Sequence, residues 1–250
     1  MSFGLTLQDK KEISFLEPAF GTGAFYSALL SECDKHAKII NTAVGVEVDK
    51  DFYVAANELW GHTNVNLVSG DFTEIEAFEN INFLVSNPPY VRHHYIDKEQ
   101  KSKLSAMIQK ETDLSLSGLS GLYCYFILSA HKWLAPDAIC GWLIPSEFMD
   151  VNYGAKLKEY FLNKVHLLRV HRYNPENCKF DDALVSSCVV WFKNETMENN
   201  YDVEFSYGGT LERPEVSRNV DRNTLGKSRK WTHFPTNDEQ LPNTHTPTSV

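Results

Sequence analysis

The sequence lacks long apolar runs, closely spaced cysteine pairs and an excess of positive charge, and each absence excludes a class of protein. No run reaches the roughly 18 apolar residues of a membrane span, and no basic segment followed by an apolar one marks a secretion signal. The five cysteines are odd in number and form no CxxC pair, which argues against a disulfide framework and a zinc ribbon. We therefore expect a cytoplasmic protein with no membrane contact and no metal site.

The chain also lacks the excess of positive charge by which overall electrostatics would hold a protein on nucleic acid. Its 33 acidic residues outnumber its 24 basic ones, and the net charge is −9. The distribution is uneven along the chain. Residues 1–90 contain no arginine and are strongly acidic, whereas residues 91–180 form the only third with a net positive charge. The sign of the charge thus changes just after residue 90.

Short apolar runs alternate with helix-period segments through the first two thirds of the chain, which predicts βαβ units and a mostly parallel sheet. The expected strands are residues 13–17, 42–46, 64–68, 81–86, 138–144, 165–170 and 186–192. The last two are expected to form an antiparallel edge pair. The expected helices are residues 24–33, 51–60, 121–134 and 153–162. A further strand is compatible with residues 201–207, but the periodicity fades beyond them.

Two glycines, Gly21 and Gly23, lie where the first predicted strand turns into the first helix, so the backbone there can approach a ligand closely. Tyr26 occupies the place of the third glycine of a dinucleotide fingerprint, which disfavours pyrophosphate binding. Taken alone, the segment is explained equally well by a tight turn with no ligand.

Acidic residues end the next two predicted strands. Glu47 could accept hydrogen bonds from both hydroxyls of a ribose, and Asp71 could accept one from an exocyclic amine while Phe72 covers an adenine face. Each acid alone is explained as readily by a solvated strand end. Because the features follow successive strands of one sheet, they predict a single crevice for an adenosine-containing cofactor without a pyrophosphate.

The tetrad Asn87-Pro88-Pro89-Tyr90 directly follows the fourth predicted strand. Two prolines remove amide donors, so the carbonyl of Pro88 and the side-chain oxygen of Asn87 can both accept hydrogen bonds from an NH2 group. Two acceptors favour a pyramidal nitrogen and expose its lone pair, and Tyr90 can stack on the planar substrate. A strand-terminating turn is the alternative interpretation.

Residues 16–25, Glu47, residues 70–72 and residues 87–90, in this order and spacing, resemble the motifs of the amino-methyltransferases. They are most similar to those of the gamma-class DNA adenine-N6 methyltransferases of restriction-modification systems, over about residues 13 to 195. The resemblance implies a Rossmann-like class I S-adenosylmethionine-dependent methyltransferase fold: an α/β fold with a mostly parallel seven-stranded sheet, helices on both faces and an antiparallel edge hairpin.

The same resemblance implies the site. The residues expected to bind S-adenosylmethionine are Glu17, Pro18, Ala19, Phe20, Gly21, Gly23, Phe25, Glu47, Asp71 and Phe72. The residues expected to act in catalysis, by direct in-line displacement without a metal, are Asn87, Pro88, Pro89 and Tyr90. The substrate is expected to be a flipped-out adenine in DNA, held by Tyr90, Phe180, Arg92 and His93. A packing aromatic at Phe180 and a solvated basic helix face after residue 90 are the alternatives.

The expected division is a catalytic domain over residues 1–195, an extension or linker over 196–232 and a disordered tail over 233–250. The chain offers no room for sequence recognition, so this task is expected to fall to a separate recognition subunit or to an absent C-terminal recognition domain. Three alternatives remain open from the sequence: a methyltransferase acting on ribosomal RNA, one acting on a protein glutamine, and a non-catalytic remnant that only binds the cofactor.

Overall fold

Nine strands form one sheet in the part of the chain that the computed structural model describes, which comprises residues 1–91, 98–174, 186–195 and 200–234. The strands are β1 (Glu12–Glu17), β2 (Ile39–Glu47), β3 (Val65–Ser69), β4 (Ile81–Ser86), β5 (Leu134–Pro145), β6 (His166–Arg172), β7 (Ser187–Lys193), β8 (Asp202–Tyr207) and β9 (Val216–Asp221). Their order across the sheet is β3-β2-β1-β4-β5-β7-β6-β8-β9. Strand β7 is antiparallel to both neighbours and β9 to β8, while the other pairs are parallel.

Helices cover both faces of the sheet. They are α1 (Ser2–Leu7), α2 (Ala24–Cys33), α3 (Lys50–Trp60), α4 (Lys98–Thr112), α5 (Leu122–Ala130), α6 (Ala155–Asn163) and α7 (Arg222–Lys227). Buried side chains of α1 to α3 form one core, and those of α4 to α7 form a second core on the opposite face. Strand β4 lies between the two cores and is buried at every position, including the polar Asn82 and Ser86. The predicted α/β class is confirmed.

The expected count of seven strands is wrong, because β8 and β9 extend the sheet beyond β6. Strand β8 confirms the optional strand at residues 201–207, but β9 carries no apolar pattern, since Val220 is its only buried residue. It is formed by backbone pairing with β8 and not by side-chain burial. The β6–β7 pair is consequently internal to the sheet, and the edge hairpin is β8–β9.

The predicted helix over residues 121–134 is too long. Helix α5 ends at Ala130, a single 3-10 turn follows, and β5 begins at Leu134. The apolar spacing resumes at Trp133 and Leu134 after His131 and Lys132, and a short apolar segment does not distinguish a buried helix from a buried strand, so the periodicity missed this boundary. Pro136 is tolerated in β5 because the pairing with β4 shifts there, and Asp137 beside it has a positive φ of 65°.

The C-terminal part of the described chain packs onto the sheet. Residues 202–227, within the segment expected to be an extension or linker, contain β8, β9 and α7, and Trp231 beyond them is fully buried. Phe234 is also buried, whereas residues 235–250 of the expected tail lie outside the described residues. The division into domains stays a prediction. None of the described helices is long and apolar enough to span a bilayer.

Candidate active site

A cleft of about 340 Å³ opens where β1, β2, β3 and β4 end, beside the point at which the strand order reverses. Open α/β sheets bind ligands at this position, and the volume is within the range of small-molecule sites. The residues that line it are Pro18, Ala19, Gly21, Val46, Glu47, Val48, Asp49, Phe52, Gly70, Asp71, Phe72, Asn87, Pro89, Leu122 and Phe126. The lining therefore combines three side chains that can accept hydrogen bonds at strand ends with a set of apolar side chains.

The glycine turn after β1 is held against the end of β2. Gly21 and Gly23 have φ values of 55° and 84°, a left-handed conformation that favours glycine. The amide of Gly21 donates to Glu47 Oε2 at 2.7 Å, and the amide of Asp49 donates to Glu47 Oε1 at 2.8 Å. Each carboxylate oxygen has a second lone pair, so Glu47 positions the turn and can still accept from a ligand.

Glu17 lies beneath this turn and not in the cleft lining. Its side chain is buried and accepts hydrogen bonds from the amides of Tyr26 at 3.0 Å and Phe25 at 3.4 Å, at the start of α2. Burial raises the pKa of its carboxyl group to about 8, and the two amide hydrogen bonds oppose this rise. In the structure, Glu17 therefore supports the first turn of α2.

Trp60, at the end of α3, closes the glycine turn from the outside. Its indole Nε1 donates to the carbonyl of Thr22 at 2.8 Å, and its ring packs edge-on against Tyr26 with 5.5 Å between centroids. The hydroxyl of Tyr26 in turn donates to Thr63, whose hydroxyl donates to the carbonyl of Trp60. This tryptophan was absent from the expected site, because no local pattern links residue 60 to residue 22.

Trp60 is expected to report ligand binding by fluorescence. The chain has five tryptophans, and the other four are buried in the cores: Trp133, Trp142, Trp191 and Trp231. Because Trp60 alone is partly exposed and is bonded to the glycine turn, filling the cleft should change its emission and reduce its quenching by iodide. A titration with S-adenosylhomocysteine in wild type and Trp60→Phe checks this, and a signal that survives in the variant would contradict it.

Asp71 follows β3 and is held in place by two neighbours. Its Oδ1 accepts from the amide and hydroxyl of Thr73 at 2.9 and 2.7 Å, and its Oδ2 accepts from Gln100 Nε2 of α4 at 3.3 Å. Phe72 is only 1% exposed, with its ring centroid 5.5 Å from that of Phe126. Phe72 therefore belongs to the floor of the cleft.

Exposed apolar side chains on the β2 side form the outer part of the cleft. Val48 is 67% exposed and Phe52 is 53% exposed, although both are apolar and both line the cleft. An apolar residue directly after the acidic residue that ends a strand is a signal that sequence reasoning could have used for Val48. Leu122 and Phe126, from α5, carry no such signal, since the fold alone brings them to this edge.

The tetrad after β4 divides between the cleft and the adjacent end of β5. Asn87 is exposed and lines the cleft with Pro89, whereas Pro88 is buried. The hydroxyl of Tyr90 donates to the carbonyl of Leu143 in β5 at 3.0 Å, and burial raises the pKa of this hydroxyl. The bond fixes the direction of a ring that is 39% exposed and therefore available for stacking.

The structure thus places eight of the expected site residues in the cleft lining and six behind or beside it. Those that line the cleft are Pro18, Ala19, Gly21, Glu47, Asp71, Phe72, Asn87 and Pro89. Those that lie behind or beside the lining are Glu17, Phe20, Gly23, Phe25, Pro88 and Tyr90. Phe180, Arg92 and His93 lie outside the described residues. Within the described ranges, no group of three or more His, Cys, Asp or Glu side chains is placed to hold a metal ion.

Comparison with known proteins gives a family match. Residues 30–178 match the Eco57I restriction-modification methylase family. The chain is 31% identical over 192 residues to the type II methyltransferase M.AccI of Acinetobacter calcoaceticus, an alignment that covers 76% of this chain and 34% of M.AccI. It covers 24% and 30% of two other type II methyltransferases, M.XamI and M.BanIII, so it spans about a third or less of the length of these relatives.

Solved structures show the same fold at low sequence identity. A Listeria monocytogenes protein assigned to the class I S-adenosylmethionine-dependent methyltransferases superposes with a TM-score of 0.68 at 18% identity, over 86% of this chain and 64% of that one. The type IIG restriction endonuclease BpuSI gives 0.66 at 15% identity, over 90% of this chain and 30% of its own. At these identities the likeness concerns the fold, which is the one expected from the motifs.

Proposed function

The chain belongs to the Eco57I restriction-modification methylase family, and from this premise we propose that it transfers a methyl group from S-adenosylmethionine to the N6 amine of adenine in DNA. S-adenosylmethionine is the cofactor that the family and the class I fold imply. The observation that carries the proposal is that Asn87 and Pro89 line the same cleft as Glu47 and Asp71. One cleft thus joins acceptors suited to an adenosine and the amide oxygen of Asn87, an acceptor suited to an amine.

The lining fits the cofactor in its chemistry. Glu47 is the acceptor for the ribose hydroxyls and Asp71 is the acceptor for the adenine amine, while Val48 and Phe52 supply apolar surface for the ring. No third glycine or basic side chain marks a pyrophosphate site, in agreement with a cofactor that has none. When bound, S-adenosylmethionine supplies an electrophilic methyl group.

Asn87 and Pro88 act on the nitrogen that receives the methyl group. The amide oxygen of Asn87 and the carbonyl of Pro88 accept the two hydrogens of the amine, which holds the nitrogen pyramidal and frees its lone pair to form the new N–C bond. The bond between the methyl group and the sulfonium sulfur would break in the same displacement, and the sulfur would leave as a neutral thioether. The amine loses one proton to water after the bond forms. Tyr90, oriented by its hydrogen bond to Leu143, stacks on the substrate ring.

An adenine within a duplex cannot reach this cleft, so the proposal includes flipping of the base out of the helix. Phe180 as the second stacking side chain, and Arg92 and His93 as phosphate contacts, remain proposals that rest on the resemblance. Because the chain spans about a third of M.AccI, recognition of a DNA sequence by a further domain or a partner subunit is also a proposal.

A methyl-transfer assay tests the proposed function. Wild-type protein is incubated with methyl-labelled S-adenosylmethionine and a mixture of DNA, ribosomal RNA and release factor, and the modified atom is identified by mass spectrometry. We expect N6-methyladenine in the DNA. Label in RNA or protein but not in DNA would replace this function with one of the alternatives, and calorimetry showing no cofactor binding would support a non-catalytic remnant.

A further inference from the structure

A second, larger groove of about 610 Å³ lies between α6 and residues 222–231, away from the cofactor cleft. We call it the basic groove. Its cationic lining residues are Lys158, Arg222, Arg229 and Lys230, and its acidic ones are Asp150 and Glu159. A net positive groove is unusual in a chain whose formal charge is −9. No residue of the expected site belongs to it.

The positive charge comes from one stretch of sequence. Residues 222–234 contain Arg222, Lys227, Arg229 and Lys230 and no acidic residue. Within the described part of the chain, neither Arg229 nor Lys230 has an ion-pair partner, and both are exposed. Two adjacent cations are therefore presented to solvent along one wall of the groove.

The two acidic residues of the groove are already engaged. Asp150 accepts from the amide of Thr232 at 3.3 Å and from its hydroxyl at 2.6 Å. Glu159 accepts from Lys156, one turn earlier on α6, at 2.8 Å. Within the described residues, neither carboxylate forms an ion pair with Arg229 or Lys230.

Internal hydrogen bonds hold the basic wall in place. Lys158 is nine-tenths buried, and its Nζ donates to the carbonyl of Met149 at 3.0 Å and to the carbonyl of Arg229 at 2.6 Å. The amide of Trp231 donates to Met149, and its indole donates to the carbonyl of Leu225. The chain thus uses a buried lysine and a fully buried tryptophan to fix the backbone that carries the two exposed cations.

One end of the groove lies near the edge of the sheet where the expected catalysis takes place. One end is lined by Asp150, Val151 and Asn152, which follow the carboxyl end of β5. Strand β5 is the parallel neighbour of β4, and Asn87 directly follows β4. A polyanion that lies in the groove would therefore continue toward the tetrad.

We propose that the basic groove binds the sugar–phosphate backbone of DNA next to the target base. This inference rests on the proposed function, since it takes DNA as the substrate. Fixed cations with no internal partner are the feature by which proteins position a duplex without reading its sequence. The volume of the groove, about 610 Å³, far exceeds that of a single phosphate group, so the groove can hold several successive nucleotides of the DNA backbone.

The test compares two double variants with the wild-type chain of 250 residues. In Arg229→Gln/Lys230→Gln the adjacent cations of the groove are neutralised. In Lys10→Gln/Lys11→Gln, the matched control, an adjacent exposed pair before β1, at the opposite edge of the sheet, is neutralised. Binding to a short fluorescein-labelled duplex of arbitrary sequence is measured by anisotropy between about 50 and 200 mM salt.

Loss of two phosphate contacts should reduce the slope of log affinity against log salt by about 1.8 and weaken DNA binding by about tenfold or more, with no such change in the control. Unchanged binding in the groove variant, equal loss in both variants, no DNA binding by the wild type, or tighter binding of an RNA duplex would each overturn the proposal.

Calorimetric cofactor affinity, expected to be equal in all three proteins, confirms folding. Methyl transfer to DNA by the wild type tests the proposed function separately.

Discussion

Asn87→Ala should reduce methyl transfer by at least about 10²-fold while leaving cofactor binding within a factor of about two, since removal of a single positioned polar group at a reacting atom costs this much in other enzymes. The physical reason is that the alanine has no acceptor for the amine hydrogens, so the nitrogen lone pair stays delocalised into the ring. Asn87 is exposed and follows the strand, so folding should be little affected. Single-turnover rates and calorimetric cofactor affinity give the two readouts.

Asn64→Ala is the matched control for this substitution. Asn64 is also an exposed asparagine next to a strand, but it precedes β3 and thus lies at the opposite edge of the sheet. It should leave both the rate and the affinity unchanged. Equal activity of the Asn87 variant and the wild type would refute the acceptor role, and parallel loss of activity and cofactor binding would assign Asn87 a role in shaping the cleft instead.

Gly23→Ala should lower the free energy of unfolding by about 2–5 kcal/mol and abolish tight cofactor binding. A left-handed residue with a side chain costs about 1–2 kcal/mol, and overpacking adds about 1–3 kcal/mol. The added Cβ would lie 2.5 Å from Trp60 Nε1 and 2.8 Å from the ring of Phe20. Trp60 would have to move, and the hydrogen bond that holds Thr22 would break.

Gly21→Ala provides the comparison that separates the two costs. Gly21 also has a positive φ, 55°, but its added Cβ would meet nothing within 4 Å. Only the conformational cost of about 1–2 kcal/mol should therefore appear in urea unfolding. The same loss of stability in both variants would show that contact with Trp60 and Phe20 does not constrain the turn.

The fold was predictable where the residue pattern is local. Strands β1 to β7 and helix α2 follow from apolar runs and three- and four-residue spacing, because most of these segments bury their apolar side chains in a regular order. Strand β9 buries only Val220 and helix α7 buries only Leu225, so no apolar pattern in the sequence predicts either element. Their positions depend on pairing with β8 and on the packing of Trp231 beyond them.

The candidate site was predictable to the extent that a parallel sheet collects strand ends. Glu47 ends a strand, Asp71 and Asn87 follow strands, and the structure places all three around one cleft. Phe20 was expected beside the cofactor, but its ring is buried against Gly45 and Tyr26, so it supports the turn from behind.

The sequence by itself determined the chemistry of the site, since the acceptors at the strand ends, the glycines of the turn and the two prolines of the tetrad are local choices of residue type. The tertiary structure alone decided which of these groups face the cleft and which are used to hold it. It also brought Phe52 and Leu122 to the cleft and Trp60 to the glycine turn. Such placement depends on contacts between residues far apart in the chain, and no local period encodes those contacts.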